Sequence, residues 1–415
     1  ISATAMRNAG VSEKAGSGSS AVKVADSDED AGGQKPAGSV IGYDVYGEIH
    51  AETDGTYGYR IEYPQISGLG DERVQKKIND AIRAEALTAL VYYKDTRPSG
   101  DINISYRIKR RSPFLLSVEY HETGENTGGQ QSGGPYFTVN IDVRTGDRIR
   151  LKDMVNISAG FVIRLLAGSF RTVSGPGTRP LLNFGISSMK ELLAGADDTE
   201  NIGSPEKLHV FSYLTTDSLG ISIYFGHDPD EQADGAHGTD SPDQGDRGVY
   251  EIRFEDLEDD MIIDEILRKE LLGTDIDQVA LLDGIDLEGL GQVRLTAGKY
   301  DDNGVMRLKL LLDDRDSGLV YVLPELADIP WYFDDLAVLE VLDADADGLG
   351  DIVAIAHYIT GTGNSGAVPF PYAHIYFRRS GGFVRDPELE QKISAEEFSS
   401  PEDVARLAGK YKGKE

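Results

Sequence analysis

The chain has 415 residues, 40% of them hydrophobic, and carries 41 lysines and arginines against 71 aspartates and glutamates, a formal charge of -30. That balance disfavours nucleic acid and anionic membrane surfaces and favours cationic proteins or divalent metal ions. There is no cysteine, which removes disulfides, thiolate metal sites, cysteine nucleophiles and the lipid-bearing cysteine of a bacterial lipoprotein. The length implies two or three domains. No apolar run approaches the roughly 20 residues that span a bilayer. Because the first residue is Ile1, any signal peptide or anchor helix is expected upstream.

Residues 1–40 are small, polar and without period, the composition of a disordered tether. From Tyr43 the pattern changes, and YGYRIEY (57–63) alternates in strand fashion before Pro64 and the turn SGLG. Asp71 is a suitable N-cap for DERVQKKINDAIRAEALTAL, in which Val74, Ile78, Ile82 and Ala86 repeat every four residues as one apolar stripe. That stripe predicts a helix lying on a sheet. The sheet is expected from Ile102, Ile104, Tyr106 and Ile108, from PFLLSVEY (113–120), and from Phe137, Val139, Ile141 and Val143. The turn Arg144-Thr145-Gly146-Asp147 then returns the chain as a hairpin would. FEDLEDDMIIDEILRKELLG reads as one closing helix, with Leu257, Met261, Ile262, Ile266 and Leu267 on its buried face and a boundary near Gly273.

Within this stretch, YPQISGLGDERVQKKINDAI and GGPYFTVNIDVRTGDRIRLKDM, followed by SLGISIYFG (218–226) and GVYEIRFEDL (248–257), resemble a known pair of domains of unknown function. These form the ectodomain of the lysozyme-sensing anti-sigma factor RsiV and precede the catalytic domain of the peptidoglycan deacetylase PdaC. The resemblance covers residues 43 to 272. It implies an α+β domain of the cell envelope and a lysozyme or peptidoglycan partner. Where that family has a short aromatic and proline turn, this chain has 226–248, with seven acids and one arginine. Its His227 and His237 lie ten apart in a Gly/Asp setting without fixed metal geometry, so the stretch reads as a mobile acidic loop able to touch a basic partner.

After the boundary come short strands and tight turns, VRLTAGKY, VMRLKLLL and LVYVL, so residues 274–415 read as a β-rich module. At 343–351 the sequence is DADADGLGD, with Asp343, Asp345, Asp347 and Asp351 at positions 1, 3, 5 and 9 of a Ca²⁺ loop and the Leu349 carbonyl at position 7. The flanking LAVLEVL and IVAIAHYI read as strands, so the loop is strand-to-strand rather than an EF-hand. Position 12 is Ala354 instead of a bidentate glutamate, which predicts weak Ca²⁺ affinity of about 10⁻⁴ to 10⁻³ M. This loop resembles the calcium-loop repeat of extracellular adhesion proteins. With GTGNSGAVPFPYAHIYFRRSGGFVRDPEL behind it, residues 336–393 resemble the periplasmic inhibitors of invertebrate-type lysozyme. That second resemblance implies a partner-binding loop from Gly361 to Tyr372, with Asn364, Ser365 and Tyr372 as contacts.

The letters of a dinucleotide fingerprint at Gly361–Gly366 do not make one, because AVPFPY carries two prolines where the motif needs a helix. The tail holds helix signals instead, with capping boxes at Ser394–Glu397 and Ser400–Asp403 and the lysines of GKYKGKE near the end. No HExxH, GxSxG, Walker loop or thiol is present; His357 and His374 fall on strands of one module and are candidates to approach each other. Together these features predict an α+β protein with a helix-on-antiparallel-sheet domain at 41–273 and a β-rich module carrying a calcium-type loop. They predict a non-enzymatic binding protein, extracellular, on the cell surface or periplasmic, held by Ca²⁺ and recognising lysozyme or peptidoglycan. The alternatives are a glycan-modifying enzyme of the cell wall, an accessory domain of one, or a purely structural envelope module.

Overall fold

Strands dominate the described residues and form three sheets. A computed structural model describes residues 20–24, 41–54, 57–96, 101–123, 136–175, 177, 180–199, 208–225, 247–273, 276–302, 304–361, 368–379 and 382–412. The first elements are β1 (Ser20–Val24), β2 (Asp44–Asp54), β3 (Tyr57–Ser67), α1 (Glu72–Thr96), β4 (Ile102–Arg111), β5 (Leu115–Glu122), β6 (Tyr136–Asp142) and β7 (Asp147–Arg148). Of the stretch read as a tether, residues 20–24 are described, and they pair antiparallel with β2 from Ser20↔Ala51 to Val24↔Gly47. Helix α1 forms where its cap and stripe place it. The Asp71 carboxylate accepts the amides of Arg73 and Val74 at 2.9 and 3.2 Å, and Ile78, Ile82 and Ala86 are fully buried. Each buried isoleucine of that stripe stabilises the helix on the sheet by about 2 kcal/mol.

Strand β4 organises the largest sheet. Along one edge it pairs in parallel with β3 at its start (Tyr59↔Ile102) and with β15 (Leu319–Val322) at its end (Leu319↔Arg111). Along the other edge it pairs antiparallel with β5, which leads to β6 and β7. Beyond β15 the sheet continues through β14 (Val305–Asp314) and β13 (Gly291–Asp302) to β12 (Asp277–Leu287). The apolar core over this sheet runs without interruption from Ile41–Val143 into Leu287–Phe383. One glycine makes the β4–β15 junction. Gly318 has φ +68, and a Cβ there would lie 2.7 Å from the carbonyl carbon of Lys109; its own carbonyl accepts the Arg111 amide at 2.7 Å.

A second body packs four short helices, α2 (Leu151–Met154), α3 (Ala159–Leu166), α4 (Ile186–Ala194) and α5 (Glu265–Leu272), around a four-stranded sheet. Its strands are β8 (Arg171–Ser174), β9 (His209–Leu214), β10 (Ser218–Tyr224) and β11 (Arg247–Arg253), in the order β8-β11-β10-β9. The single closing helix expected over 254–273 is divided. Residues Glu255–Asp260 form a 3-10 turn, Met261 bridges to Val155, and α5 starts afresh with Asp264 accepting the amides of Ile266 and Leu267. A backbone bond from Ile262 to Met154, 2.9 Å, replaces the helical bond that would have continued the turn. Leu257 and Leu267 are buried as expected, whereas Ile262 and Ile266 are 57% and 52% exposed.

The third sheet is a meander of β16 (Tyr332–Leu342), β17 (Asp351–Ile359), β18 (Phe370–Arg379) and β19 (Gly382–Arg385), followed by α6 (Pro387–Ser394) and α7 (Pro401–Lys412). Its two faces are both covered. Ile352, Ala354, Ala356 and Tyr358 belong to the large core, while Val353, Ile355, Ala373 and Ile375 pack against α6 and α7. Burial on both faces explains why IVAIAHYI is a continuous apolar run rather than an alternating one. Of the two capping boxes, the Ser400 hydroxyl accepts the Asp403 amide at 3.3 Å; Ser394 ends α6 and accepts the Ala373 amide from β18 instead. The fold is α+β, predominantly sheet.

Candidate functional site

The hairpin β16–β17 closes at the pair Leu342↔Asp351, and residues 343–350 form its loop. Local chemistry shapes it. The Asp343 carboxylate accepts the amides of Asp347 at 3.1 Å and Gly348 at 3.0 Å, and Asp347 accepts the amide of Leu349 at 2.9 Å. These side-chain turns hold Ala346 at φ 62 and Gly348 at φ 89; the alanine adopts a conformation unusual for a residue with a Cβ. Asp351 is wholly buried and anchors the loop to the sheet by accepting the amides of Ala344 at 2.9 Å and Arg378 at 2.7 Å.

This folding brings one carboxylate oxygen each of Asp343, Asp345 and Asp351 within 4.8 Å of one another. Two oxygens bound to one Ca²⁺ at about 2.3–2.6 Å can be at most about 5 Å apart, so the three fit around a single ion. Of the expected ligands, Asp347 is turned toward a cation of the protein, 3.0 Å from Arg379 Nη1. Leu349 contributes its amide to Asp347. Asp345, its side chain 9% exposed, receives Arg379 Nη2 at 2.6 Å and Lys412 Nζ at 2.9 Å on Oδ2. Its Oδ1 is buried without a hydrogen-bond partner among the described residues, an arrangement that costs stability unless a hydrogen-bond donor or a cation meets it. Burial acts to raise the Asp345 carboxyl, but the hydrogen bonds from Lys412 and Arg379 outweigh it and hold the group below its ordinary value. Burial pushes the Asp351 carboxyl up against the pull of the Arg378 and Ala344 amides, and the Asp345 and Asp347 charges add to the rise.

Arg379 and Lys412 are the residues that sequence reasoning missed here. Lys412 belongs to the tail read as an ordinary helix end, yet α7 lays it across the loop, with Nζ 3.4 Å from the centre of the Phe377 ring. Asn364 and Ser365 lie outside the described residues, as do His227 and His237. Tyr372 is 7% exposed and sits in an aromatic cluster, 5.6 Å from Trp331 and 6.2 Å from Tyr358 between ring centres.

The two strand histidines do not meet. His357 pairs with Pro371 and His374 with Ala354, an odd offset that puts them on opposite faces of the sheet. His357 Nδ1 lies 2.5 Å from Asp335 Oδ1. His374 is wholly buried between Tyr358 Oη at 2.8 Å and Glu390 Oε2 at 3.2 Å. Glu390, also wholly buried, receives Arg385 Nη2 at 2.6 Å, and Arg385 reaches on to Asp328 at 2.7 Å. This chain of hydrogen bonds ties α6 to the sheet through the wholly buried His374 and Glu390 and ends at Asp328, whose side chain is 38% exposed.

No family model matches the chain, and no curated protein does. Among solved structures, a member of the DUF3298 family from Bacteroides fragilis is similar, with 11% identity over 56% of this chain and 98% of that one and a TM-score of 0.31. Likeness at that level carries no argument about function. Among the described residues no helix is long and apolar enough to cross a membrane.

Proposed function

We propose that this chain is a non-catalytic binding protein of the bacterial envelope whose aspartate loop takes up Ca²⁺ to pin β16 to β17. The observation that carries the metal part is the convergence of Asp343, Asp345 and Asp351 around a buried, unpartnered carboxylate oxygen. With Asp347 the loop holds four carboxylates, and the structure supplies two cations, Arg379 and Lys412, against them. A divalent cation answers the remaining charge and the open oxygen together. Few protein ligands and a missing bidentate glutamate favour weak, extracellular-type affinity.

The partner in this reading is a cationic protein such as lysozyme, or peptidoglycan. Its support is the formal charge of -30 and the ordered blocks over residues 43–272 that resemble envelope domains. Two experiments test it. Calorimetric titration with Ca²⁺ gives a saturable heat, and chelator lowers the melting temperature of the parent but not of Asp345→Ala; an unchanged parent melt reduces the loop to a turn. Titration with lysozyme at low and high salt, with and without Ca²⁺, gives salt-sensitive binding. No heat under any of these conditions sinks the lysozyme partner.

A further inference from the structure

On a chain with an excess of acids, the most basic short run is SYRIKRRS (105–112), and it lies where three parts of the fold meet. The register of β4 against β5 shifts between Ile108 and Arg110, a bulge that sends neighbouring side chains in different directions. Arg110 turns inward, wholly buried, donating to the carbonyls of Thr215 and Thr216 at 2.9 and 3.2 Å and to Glu270 at 3.2 Å. Arg107 and Lys109 line a cleft of about 410 Å³ together with Arg171 from β8, Arg315 from the β14–β15 turn, and the β9–β10 turn at Thr215–Asp217. An adjoining hollow of about 370 Å³ shares Arg107 and adds Arg111. The two openings collect five basic side chains against three acids, Asp217, Glu251 and Asp316, the reverse of the balance over the chain.

The carboxylates that steady these cations sit below them. Glu251 is 8% exposed in its side chain, takes the Tyr213 hydroxyl at 2.9 Å and pairs with Arg171. Glu119, 9% exposed, takes the Tyr136 hydroxyl at 3.1 Å. Above them Arg171, Arg107 and Arg315 remain 72%, 66% and 65% exposed. Arg107 and Lys109 stand 3.8 and 3.6 Å from Glu119, and Arg315 stands 3.6 Å from Asp217. Those separations give charge attraction without a hydrogen bond, so among the described residues the donors of Arg107 and Arg315 are unspent. Arg111 Nε is buried with no partner.

We propose that this cleft binds a multivalent anion carrying two or more carboxylate or phosphate groups, held by forked donors from Arg107, Arg171 and Arg315 with Lys109 at the floor. Arginine is suited to the task because its planar fork meets either group in a two-point geometry. The site is independent of the aspartate loop and of the cationic partner proposed above. The probes are inorganic tripolyphosphate and citrate, titrated calorimetrically into the full chain in calcium-free buffer, since both chelate the ion that the loop would take. At low ionic strength the parent gives a saturable one-site heat with at least one probe. Arg107→Gln/Arg315→Gln weakens it at least tenfold, while Arg406→Gln/Lys410→Gln on α7 leaves it unchanged. Matching melts of the two double variants separate lost binding from lost folding. Binding of tripolyphosphate alone assigns a phosphate ligand, binding of citrate alone a carboxylate one, and binding of both a site that reads charge. Absence of saturable heat with either probe overturns the proposal, and so does equal weakening by the α7 variant.

Discussion

Glu85 on α1 is buried, 4% exposed, with Arg148 Nη1 2.8 Å from its carboxylate. Burial pushes its carboxyl from 4.5 up to about 7, against the pull of Arg148. In the unfolded chain the group titrates near the ordinary glutamate value. Below that value it is protonated in both states and costs nothing. As pH rises from 4.5 to 7 the unfolded chain releases its proton while the folded chain keeps it, so stability falls with pH across this window and stays lower above it. A displacement of about 2.5 pH units corresponds to ~3 kcal/mol. Glu85→Gln keeps the shape and removes the charge, and therefore stabilises the protein at pH 8 by ~3 kcal/mol while leaving it nearly unchanged at pH 4.5. Urea unfolding of parent and variant at both pH values, followed by circular dichroism, measures the difference. Carboxylates whose affinity for protons is lowered in the fold, such as Asp147 and Asp264, contribute equally to both proteins and cancel. Parallel stability profiles for parent and variant would refute the reasoning. A less stable variant at pH 8 would mean that the ion pair with Arg148 outweighs burial.

Lys412→Gln removes an ammonium that sits 2.9 Å from Asp345 Oδ2. A divalent ion about 5 Å from that charge, in a water-like dielectric, is relieved of about 1.7 kcal/mol of repulsion, so Ca²⁺ affinity rises about 15- to 20-fold by calorimetry. Unchanged affinity would place the ion elsewhere. Gly318→Ala sets a Cβ 2.7 Å from Lys109 C and 2.9 Å from Arg110 N at φ +68, and it is expected to cost at least about 2 kcal/mol in a denaturant series. A neutral result would show that the β4–β15 junction relaxes freely. Glu390→Leu strands Arg385, whose side chain is 5% exposed, with Asp328 as its remaining carboxylate and leaves His374 Nδ1 without its acceptor. A loss of about 3 kcal/mol by urea unfolding is expected, and a loss below ~1 kcal/mol would show that Asp328 alone suffices.

Much of the fold is legible locally. Asp71 and the Ile78–Ile82–Ala86 stripe specify α1, alternation in the sequence marks β4 and β6, and short apolar runs between tight turns mark β13 and β14, because caps, turns and periodicity act between residues a few positions apart. The same is true of the aspartate loop, whose side-chain turns form within six residues of one another. The split of the 254–273 segment was not legible, since its apolar spacing suits a continuous helix and the strand-like bridge from Met261 to Val155 comes from outside it.

What the sequence by itself determined is α1, the strands that alternation or tight turns mark, and the cluster of aspartates, all products of short-range pattern. Only the tertiary structure decided which charges meet them. Arg379 and Lys412 reach the loop from β18 and α7, Arg171 and Arg315 reach the basic run of β4 from two other elements, and Glu390 crosses from α6 to His374. Charge attraction has no period and no fixed distance along the chain. It depends on where side chains arrive in space, and the packing of the cores sets those positions.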